Sequence, residues 1–233
     1  MDKPCVLVVD DDREIAGAIA KLLEREGIDA ICAHDGMEAL DLLTTKSVQL
    51  ILMDVMMPRM DGLSATMKIR QTKNIPIIIL SAKTEDSDKI IGLSMGADDY
   101  VTKPFNPPEL VARVRSQLRR YLQLGSVATT QRADVITVGG LTLDDGEKQL
   151  SVDGEPVRLT PTELKIVALL MRNAGRIFSA EEIYERVWNE QAFSVENTVM
   201  VHIRRIREKI EINPREPKYL KVVWGIGYKI EKV

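Results

Sequence analysis

Short apolar runs alternate with amphipathic stretches along the first half of the chain. The runs cover residues 5–9, 30–33, 50–53, 75–80 and 100–102, and three of them are almost continuous Val, Ile and Leu. Such runs are typical of strands that are covered on both faces of a parallel sheet. The stretches between the runs repeat their apolar positions at helical spacing. The pattern therefore predicts an α/β fold with a five-stranded, doubly wound parallel sheet.

The pattern changes in the middle of the chain. Residues 123–133 are small and polar and lack periodicity, which predicts a linker between two domains, 1–122 and 134–233. The second domain begins with short strand candidates separated by glycine-containing turns, and three helices and a hairpin follow. Capping boxes are predicted at the start of the first two helices, at Thr160–Glu163 and Ser179–Glu182. This order of elements predicts a small α+β domain.

Composition and charge limit the functional classes. Of the 233 residues, 45% are hydrophobic and 29% are charged, so a packed core is expected and general disorder is not. The net charge is only −3, but residues 196–233 hold nine basic and five acidic side chains, which concentrates positive charge on the last helix and hairpin. Two cysteines exclude a disulfide framework. No signal peptide or membrane span is recognisable, so we expect a cytoplasmic protein without membrane contact.

Carboxylates stand at the ends of two predicted strands. Asp10 and Asp11 come directly after the first strand, and Asp54 ends the third. The carboxyl ends of parallel strands share one edge of the sheet, so these carboxylates should converge there with Ser81 and Lys103 from the fourth and fifth strands. Clustered carboxylates repel one another unless a cation neutralises them, and hard oxygen ligands suit Mg²⁺. The implied chemistry is phosphoryl transfer onto a carboxylate, with Mg²⁺ and Lys103 neutralising the phosphoryl oxygens.

Each of these residues also has an ordinary structural explanation. Asp12 is predicted to cap the first helix, and a single aspartate at a strand end is more often a cap or turn residue than a functional group. An isolated Lys-Pro pair is more often part of a loop. The occurrence of the whole set at one edge of the sheet favours function. Two other classes stay open, namely an aspartyl-phosphate phosphatase and a protein-interaction module.

These motifs resemble those of bacterial two-component response regulators. The matching segments are Val8–Asp11, Met53–Pro58, Asp61-Gly62, Leu80–Ala82, Gly96–Tyr100 and Lys103–Phe105. The resemblance implies a flavodoxin-like receiver domain in which Asp54 accepts phosphate from a sensor histidine kinase. It also implies a role for each neighbouring residue. The Mg²⁺ ligands would be Asp10, Asp11, Asp54 and the backbone carbonyl of Met56, the phosphoryl contacts Ser81 and Lys103, and the aromatic switch Tyr100.

The resemblance narrows to the winged-helix subfamily of OmpR/PhoB type, whose members pair through the last two helices and the last strand of the receiver. It implies that three ion pairs join two protomers of this chain. They are Lys89 with Glu109, Asp99 with Arg113, and Asp98 with Arg120. An exposed pair contributes only ~0–1 kcal/mol, so a repeated set would determine register more than affinity. Ordinary solvated helix charge is the alternative interpretation.

The third helix of the second domain has an apolar stripe and a basic face. The predicted buried stripe is Val199, Ile203, Ile206 and Ile210, and the residues predicted away from it are Val201, Arg204, Arg205 and Glu208. Such a helix is a candidate for the DNA major groove, although a solvated helix face is the alternative. The resemblance implies a recognition helix and a wing. The implied DNA contacts are Trp188, Asn197, Thr198, Val201, His202, Arg204, Arg205, Arg207, Trp224, Tyr228 and Lys229.

Three positions depart from many members of the subfamily. Asn197 and Trp224 stand where arginine is common, and Met200 stands where aspartate is common. The helix and wing are similar to those of the vancomycin-resistance regulators of Gram-positive bacteria. We expect a phosphorylation-dependent transcriptional regulator, not an enzyme, that binds promoter DNA as a homodimer and has RNA polymerase as a further partner. The alternative is a constitutive winged-helix DNA binder with a regulatory but non-essential receiver.

Overall fold

The structure, a computed structural model, describes residues 3–82, 86–125, 135–188 and 195–232. The chain divides into two compact units, Met1–Gln123 and Leu124–Val233. Most of the predicted linker, 123–133, lies outside the described residues, and so do the side chains of Lys89 and Arg120. No helix in the described part of the chain is long and apolar enough to cross a membrane.

The first unit is built on a five-stranded parallel sheet with the strand order β2-β1-β3-β4-β5. Its strands are β1 (Cys5–Val9), β2 (Asp29–Ala33), β3 (Leu50–Asp54), β4 (Ile77–Ser81) and β5 (Asp99–Thr102). Its helices are α1 (Arg13–Arg25), α2 (Gly36–Thr45), α3 (Gly62–Thr72), α4 (Asp86–Ser94) and α5 (Pro107–Gly125). All five predicted strands are confirmed, because the observed ends differ from the predicted ones by at most two residues.

The central strands are buried along their whole length, as their continuous apolar sequences predict. Every residue of β3 and β4 is buried, because helices cover both faces of the sheet. The polar residues that end these two strands, Asp54 and Ser81, are therefore carried to one edge of the sheet on a rigid support. Asp12 caps α1, since its carboxylate accepts the backbone N–H groups of Glu14 and Ile15. That predicted cap is confirmed.

The second unit combines a four-stranded antiparallel sheet, three helices and a hairpin. The sheet contains β6 (Val135–Val138), β7 (Leu141–Asp144), β8 (Gln149–Val152) and β9 (Glu155–Val157) in chain order. The helices are α6 (Pro161–Arg172), α7 (Ala180–Trp188) and α8 (Glu196–Ile210), and the hairpin pairs β10 (Leu220–Val223) with β11 (Gly227–Ile230). The predicted α+β architecture is confirmed.

Both predicted capping boxes are present. At the start of α6, Thr160 Oγ1 accepts the backbone N–H of Glu163, and the Glu163 carboxylate accepts the backbone N–H of Thr160. Ser179 and Glu182 exchange the corresponding pair of bonds before α7. The predicted stripe of α8 is also confirmed, because all four of its members are buried in the core of this unit.

Candidate functional site

The carboxyl edge of the parallel sheet carries two buried carboxylates. Asp10 follows β1, and Asp54 is the last residue of β3. The two strands are neighbours in the sheet, with Val9 opposite Met53, so the two aspartates leave the sheet side by side. Both side chains are almost completely buried. Two carboxylates this close and this buried need a cation.

Lys103 supplies that cation in the structure. Its ammonium nitrogen lies 2.6 Å from Asp10 Oδ2 and 2.5 Å from Asp54 Oδ1. The backbone N–H of Lys103 also donates to the carbonyl of Ser81, which fixes the start of the loop after β5 against the end of β4. The predicted convergence of Asp10, Asp54, Ser81 and Lys103 at one edge of the sheet is therefore observed.

The protonation of Asp54 and Lys103 is coupled through this contact. Burial raises the pKa of the Asp54 carboxyl, its bonds to Lys103 oppose that rise, and the nearby charge of Asp10 adds to it. Burial also disfavours the Lys103 ammonium, but its bonds to Asp10 and Asp54 more than offset this and raise the pKa of Lys103 above its ordinary value. Lys103 is therefore a permanent positive charge beside a desolvated carboxylate.

The side chain of Asp11 is exposed to solvent, whereas those of Asp10 and Asp54 are buried. In the part of the chain that the structure describes, no three His, Cys, Asp or Glu side chains form a ready cluster for a metal ion. The donor set nevertheless fits Mg²⁺. Asp10 and Asp54 offer hard oxygen atoms, Met56 is held beside them, and Mg²⁺ keeps several waters and needs few protein ligands.

Backbone contacts fix the orientation of the Asp54 carboxylate. Its Oδ2 accepts the backbone N–H of Met56 at 2.8 Å, which leaves Oδ1 directed to Lys103. Gly62 lies against the backbone of Asp54 so closely that a Cβ atom there would be 1.9 Å from the Asp54 carbonyl oxygen. The glycine that follows Asp61 is thus required for α3 to approach β3. From the sequence, Gly62 was identified only as part of the Asp61-Gly62 segment and not as a point of close contact.

Ser81 and Tyr100 occupy neighbouring strands beside this pocket. Ser81 is buried at the end of β4, where Thr102 of β5 is its partner in the sheet. Tyr100 is half-buried on β5, and its ring packs against Gly92 of α4, where a Cβ atom would be 3.2 Å from the ring. The pocket is thereby connected to α4 through one strand and one aromatic ring.

The candidates for intersubunit ion pairs have different surroundings. Arg113 contacts Asp99 at 3.1 Å and Glu109 at 3.0 Å within one chain, so three of the predicted residues form a single cluster on β5 and α5. Asp98 is fully buried, and its carboxylate binds Arg70 at 2.6 Å and the backbone N–H of Ile77 at 3.0 Å. This burial corrects the prediction for Asp98, because a carboxylate held inside the unit is not available to a second protomer.

The exposed face of α8 is narrower than the sequence predicted. Met200, Arg204 and Glu208 are exposed at successive turns, and Asn197 and Thr198 are partly exposed in the first turn. Arg204 is 75% exposed in its side chain and lies 3.1 Å from Glu208. Arg204 is therefore the cation that α8 presents most openly among its described residues.

Three predicted DNA contacts are buried. Trp188 is fully buried and stacks on Tyr184, with ring centroids 4.8 Å apart. His202 is fully buried as well, 5.4 Å from the Trp188 ring, and Val201 is almost fully buried. We therefore correct the roles of Trp188, Val201 and His202, because side chains enclosed by apolar packing cannot contact a groove without rearrangement.

Arg205 and Arg207 are held by the protein itself. Arg205 is nearly buried and lies 3.1 Å from the Glu163 carboxylate, which Lys209 approaches to 2.5 Å. Burial opposes the charge of Glu163, but Arg205 and Lys209 outweigh it and lower the pKa of Glu163 below its ordinary range. Arg207 donates to the Leu220 carbonyl at 2.9 Å and so joins α8 to β10. The sequence showed Glu163 only as a capping residue, because its partners lie more than forty positions away.

The hairpin presents an exposed tip. Trp224 is 88% exposed and Ile226 is 60% exposed. Tyr228 is half-buried, and its backbone exchanges two hydrogen bonds of 2.9 Å with Phe178. Lys229 lies 2.8 Å from Glu231. Of the predicted wing residues, Trp224 is thus the most accessible, while Tyr228 belongs to the base of the hairpin.

Comparison with known proteins agrees with the two units. Residues 6–115 match the family model of the response regulator receiver domain, and residues 154–230 match that of transcriptional regulatory protein, C terminal. The chain is 44% identical over 227 residues to regulatory protein VanRc of Enterococcus gallinarum, covering 97% of this chain and 98% of that protein. It is 41% identical over 228 residues to VanR of Enterococcus faecium, with 97% and 98% covered.

A solved structure is similar along the whole chain. The response regulator DrrB of Thermotoga maritima, described as an OmpR/PhoB homolog, is 29% identical with a TM-score of 0.51. The match covers 99% of this chain and 100% of that structure.

Proposed function

This chain belongs to the two-component response regulators of OmpR/PhoB type, and on that basis we propose that it accepts a phosphoryl group on Asp54 from a sensor histidine kinase and then binds promoter DNA as a dimer. The family is one of transcriptional regulators, and its two domains imply a kinase and DNA as partners. The bound regulator would act on transcription through RNA polymerase.

One observation carries the phosphoacceptor proposal, namely the Asp54 carboxylate held between Asp10, Lys103 and the Met56 N–H at the edge of the sheet. An Asp54 carboxylate oxygen would attack the phosphorus of a phosphohistidine as the phosphorus–nitrogen bond breaks and the imidazole leaves. Lys103 can neutralise charge on the phosphoryl oxygens without moving far, because it already contacts the acceptor. Ser81 ends the adjacent strand and would donate to a phosphoryl oxygen.

Receiver domains use Mg²⁺ in this reaction. Here Asp10, Asp54 and the Met56 carbonyl would hold the ion, with Asp11 beside them at the surface. When bound, it supplies charge neutralisation for the phosphoryl oxygens. The chain's own groups do the positioning, since Met56 orients Asp54 and Lys103 holds both carboxylates in place.

Phosphorylation would replace the single negative charge of the Asp54 carboxylate by a phosphoryl group of charge about −2 and bias a pre-existing equilibrium between two conformations. Ser81 and Tyr100 connect the pocket to α4 and β5, so they are the residues that would move. Pairing of two chains through α4, β5 and α5 would follow. The Asp99–Arg113–Glu109 cluster supports that surface, and Lys89 and Arg120 complete the proposed set; the buried Asp98 does not belong to it.

The second unit would supply DNA recognition. Arg204, Met200, Asn197 and Thr198 on the accessible face of α8 are the proposed groove contacts, and Trp224 and Lys229 are the proposed contacts of the hairpin. Arg205 and Arg207 are held in contacts within the unit and would act by orienting α8. Two half-sites about one helical turn apart, ~10–11 bp, are expected for a dimer.

The alternative is a constitutive DNA binder whose receiver is regulatory but not essential. Selection from a random duplex pool separates the two, run with and without beryllofluoride and Mg²⁺ as a mimic of the phosphoryl group. Enrichment of a repeated site only with the mimic supports phosphorylation-gated binding. Enrichment of the same site in both arms supports the alternative, and no enrichment in either arm contradicts a DNA-binding function.

The acceptor assignment has its own test. Asp54→Asn removes the nucleophilic carboxylate but keeps the size of the side chain, so labelling by a small phosphoryl donor should be abolished. Asp61→Asn is the matched control, because Asp61 caps α3 outside the pocket and should label normally. Full labelling of Asp54→Asn would remove Asp54 from the acceptor role.

A further inference from the structure

The turn between β2 and α2 contacts the loops on both sides of the phosphoacceptor pocket. On one side, His34 Nδ1 lies 3.2 Å from the backbone carbonyl oxygen of Asp10. On the other side, the Gly36 N–H donates to the Met60 carbonyl at 3.1 Å, in the β3–α3 loop, residues 55–61. A Cβ atom on Gly36 would be 2.8 Å from the Met60 side chain, so the start of α2 packs directly on this loop. The turn therefore joins the two loops that carry the acceptor site.

Asp35 of this turn has a fully buried carboxylate. Its Oδ1 accepts the backbone N–H groups of Met37 and Glu38, at 2.7 and 3.0 Å, and so caps α2. Its Oδ2 forms an ion pair with the guanidinium of Arg59, which belongs to the β3–α3 loop. A buried carboxylate needs such a partner, and breaking its pair is far more costly than breaking an exposed one. The Arg59 side chain itself is 68% exposed, so its replacement leaves no cavity in the core.

The backbone of Arg59 is held in an unfavourable conformation. Its φ is +62°, in the left-handed region that favours glycine. The Met60 N–H donates to the Pro58 carbonyl at 2.7 Å, which makes Arg59 the centre of a three-residue turn. Turns of this kind with positive φ are rare and strained, and the strain persists only where surrounding contacts enforce it. The ion pair with Asp35 and the bond from Gly36 to Met60 are contacts that enforce it here.

The β3–α3 loop also carries the group that orients the phosphoacceptor. The Met56 N–H donates to Asp54 Oδ2 at 2.8 Å, and the Met56 carbonyl is a proposed ligand of Mg²⁺. Two residues, one of them a proline with fixed φ, separate Met56 from Arg59. The loop is closed where the Gly62 N–H donates to the Val55 carbonyl at 3.0 Å. In so short a loop, a shift of Arg59 displaces Met56 relative to Asp54.

We propose that Arg59 is a positioning residue of the phosphoryl-transfer site, which binds Asp35 and thereby holds the Met56 backbone against Asp54. This role, which rests on the proposed function, requires no contact of Arg59 with the phosphoryl group or with Mg²⁺. Loss of the ion pair would leave Asp54 and Lys103 in place but would release the Met56 carbonyl. Removal of supporting groups of this kind changes metal affinity or activity by about 10–100-fold.

Mg²⁺ binding measures this positioning without any phosphoryl donor. The full chain is titrated with Mg²⁺ alone and followed by two-dimensional NMR, which reports binding and folding together. Arg59→Ala and Asp35→Asn each remove the ion pair, and asparagine can still cap α2. We expect each change to weaken Mg²⁺ binding by on the order of tenfold. Arg115→Ala is the matched control, because it removes the exposed pair with Glu26 in the same unit and should leave Mg²⁺ binding unchanged.

The charge of residue 59 can be tested apart from its size and its backbone. Arg59→Lys keeps a cation that can pair with Asp35, and we expect it to retain most of the Mg²⁺ affinity. Arg59→Gln keeps a long polar side chain without charge and should be as weak as Arg59→Ala. Both variants keep a side chain at the positive φ, so the backbone strain is the same. Equal affinities of the lysine and glutamine variants would overturn the role of the ion pair.

The two partners should also act as one unit. In a chain that already carries Asp35→Asn, Arg59→Ala should cause no further loss, so the double variant should be weakened by about tenfold as well. Independent contributions of Asp35 and Arg59 would instead multiply to about a hundredfold, which would contradict a positioning role through their contact.

Phosphorylation kinetics connect the positioning to the reaction. The rate of labelling by a small phosphoryl donor is measured as a function of Mg²⁺ concentration. Arg59→Ala should need about tenfold more Mg²⁺ for the half-maximal rate but should approach the maximal rate of the parent chain, because Asp10, Asp54 and Lys103 are unchanged. A fall in the maximal rate with an unchanged Mg²⁺ requirement would contradict the proposal.

The outcomes separate the role of Arg59 from the proposed function. If the parent chain binds Mg²⁺ and labels on Asp54, but Arg59→Ala and Asp35→Asn bind Mg²⁺ normally, the positioning role is overturned while the acceptor assignment stands. If Asp54→Asn labels fully, the acceptor assignment fails and the role of Arg59 in phosphoryl transfer fails with it. Weakened Mg²⁺ binding in both ion-pair variants, with no labelling of Asp54→Asn, supports both.

Discussion

Two buried acids in this chain show how the neighbours of a residue decide its role. Asp54 and Glu163 both contact cations, yet burial raises the pKa of Asp54 while Arg205 and Lys209 lower the pKa of Glu163 against the effect of burial. Asp54 shares its one lysine with a second carboxylate, so its charge is incompletely balanced. The Glu163 carboxylate has two cations as partners and also accepts the backbone N–H of Thr160. The first arrangement suits a nucleophile, and the second suits a structural link.

Glu163→Gln should destabilise the second unit. Glutamine can keep the capping box but leaves Arg205 and Lys209 without a countercharge, which should cost about 3 kcal/mol of the free energy of unfolding. The loss is measured by denaturant unfolding of the full chain at neutral pH. Glu182→Gln is the control, because it makes the same replacement in the partly exposed capping box of α7 and should cost far less.

Glu163 should also make the free energy of unfolding depend on pH. The pKa of Glu163 is lower in the folded chain than in the unfolded chain, so its stabilisation is complete above the unfolded pKa. That stabilisation is lost as the pH falls through the folded pKa. The parent chain should therefore lose stability on acidification in this window, and Glu163→Gln should show a flatter profile. Equal slopes for the two proteins would contradict the link.

Adjacent arginines on α8 should have separable effects. Arg204→Ala should weaken DNA binding and reduce the salt slope by about 0.9 without changing stability, because its side chain is exposed. Arg205→Ala should lower the free energy of unfolding, since it leaves Glu163 with one cation, Lys209, instead of two. Binding isotherms at several salt concentrations and denaturant unfolding measure the two effects. If Arg205→Ala were as stable as the parent chain but no longer bound DNA, Arg205 would contact DNA as the sequence predicted.

At the scale of elements, the contacts that orient α8 come from outside the helix. Glu163 at the start of α6 binds Arg205, and the Leu220 carbonyl of β10 binds Arg207. The hairpin is fixed in turn by its exchange of hydrogen bonds with Phe178. Connected contacts therefore hold the exposed face of α8 and the hairpin in place. A change at the base of the hairpin should consequently alter the affinity for DNA.

Gly227→Ala should destabilise the base of the hairpin. The residue has φ +155°, and a Cβ atom would be 2.0 Å from the Phe178 carbonyl oxygen, so backbone must move. We expect a loss of about 2–3 kcal/mol and weaker DNA binding. Gly225→Ala is the matched control, because it has positive φ but open space, and strain alone should cost about 1 kcal/mol. Equal effects of the two changes would contradict the role of the close contact.

At the scale of the whole molecule, function requires a signal at Asp54 to change how two chains associate. The path from Asp54 to α4 is short. Asp54 and Ser81 end the neighbouring strands β3 and β4, β5 pairs with β4, and the ring of Tyr100 on β5 packs on α4. Asp99 precedes Tyr100 on β5 and forms an ion-pair cluster with Arg113 and Glu109 of α5. The proposed dimer surface is thus next to the strand that connects it to the phosphoacceptor.

Arg113→Ala should prevent dimerisation. Light scattering of the parent chain should show a shift towards dimers when beryllofluoride and Mg²⁺ are added, and Arg113→Ala should show little shift, because Asp99 and Glu109 lose the cation that they share. Arg115→Ala is the matched control on the same helix, since Arg115 pairs with Glu26 of α1 instead. Dimers of normal stability in Arg113→Ala would contradict the proposed surface.

The sequence by itself determined the elements and the edge of the sheet where chemistry is concentrated. Continuous apolar runs require strands covered on both faces, and parallel strands bring their carboxyl ends together, so Asp10, Asp54, Ser81 and Lys103 had to meet. Helical spacing was likewise sufficient to identify the buried stripe of α8, and local capping boxes identified the starts of α6 and α7. These properties depend on period and on neighbours within a few residues.

Only the tertiary structure decided which charged and aromatic side chains face water. Arg204 and Arg205 are adjacent in sequence, but one is exposed and the other binds Glu163, which lies more than forty residues away. Likewise, Trp188 is buried in the core whereas Trp224 is exposed at the surface. Asp98 is buried and paired with Arg70 of α3. The periodicity of a helix or strand shows which side a residue is on, but contacts between distant elements determine whether that side is covered.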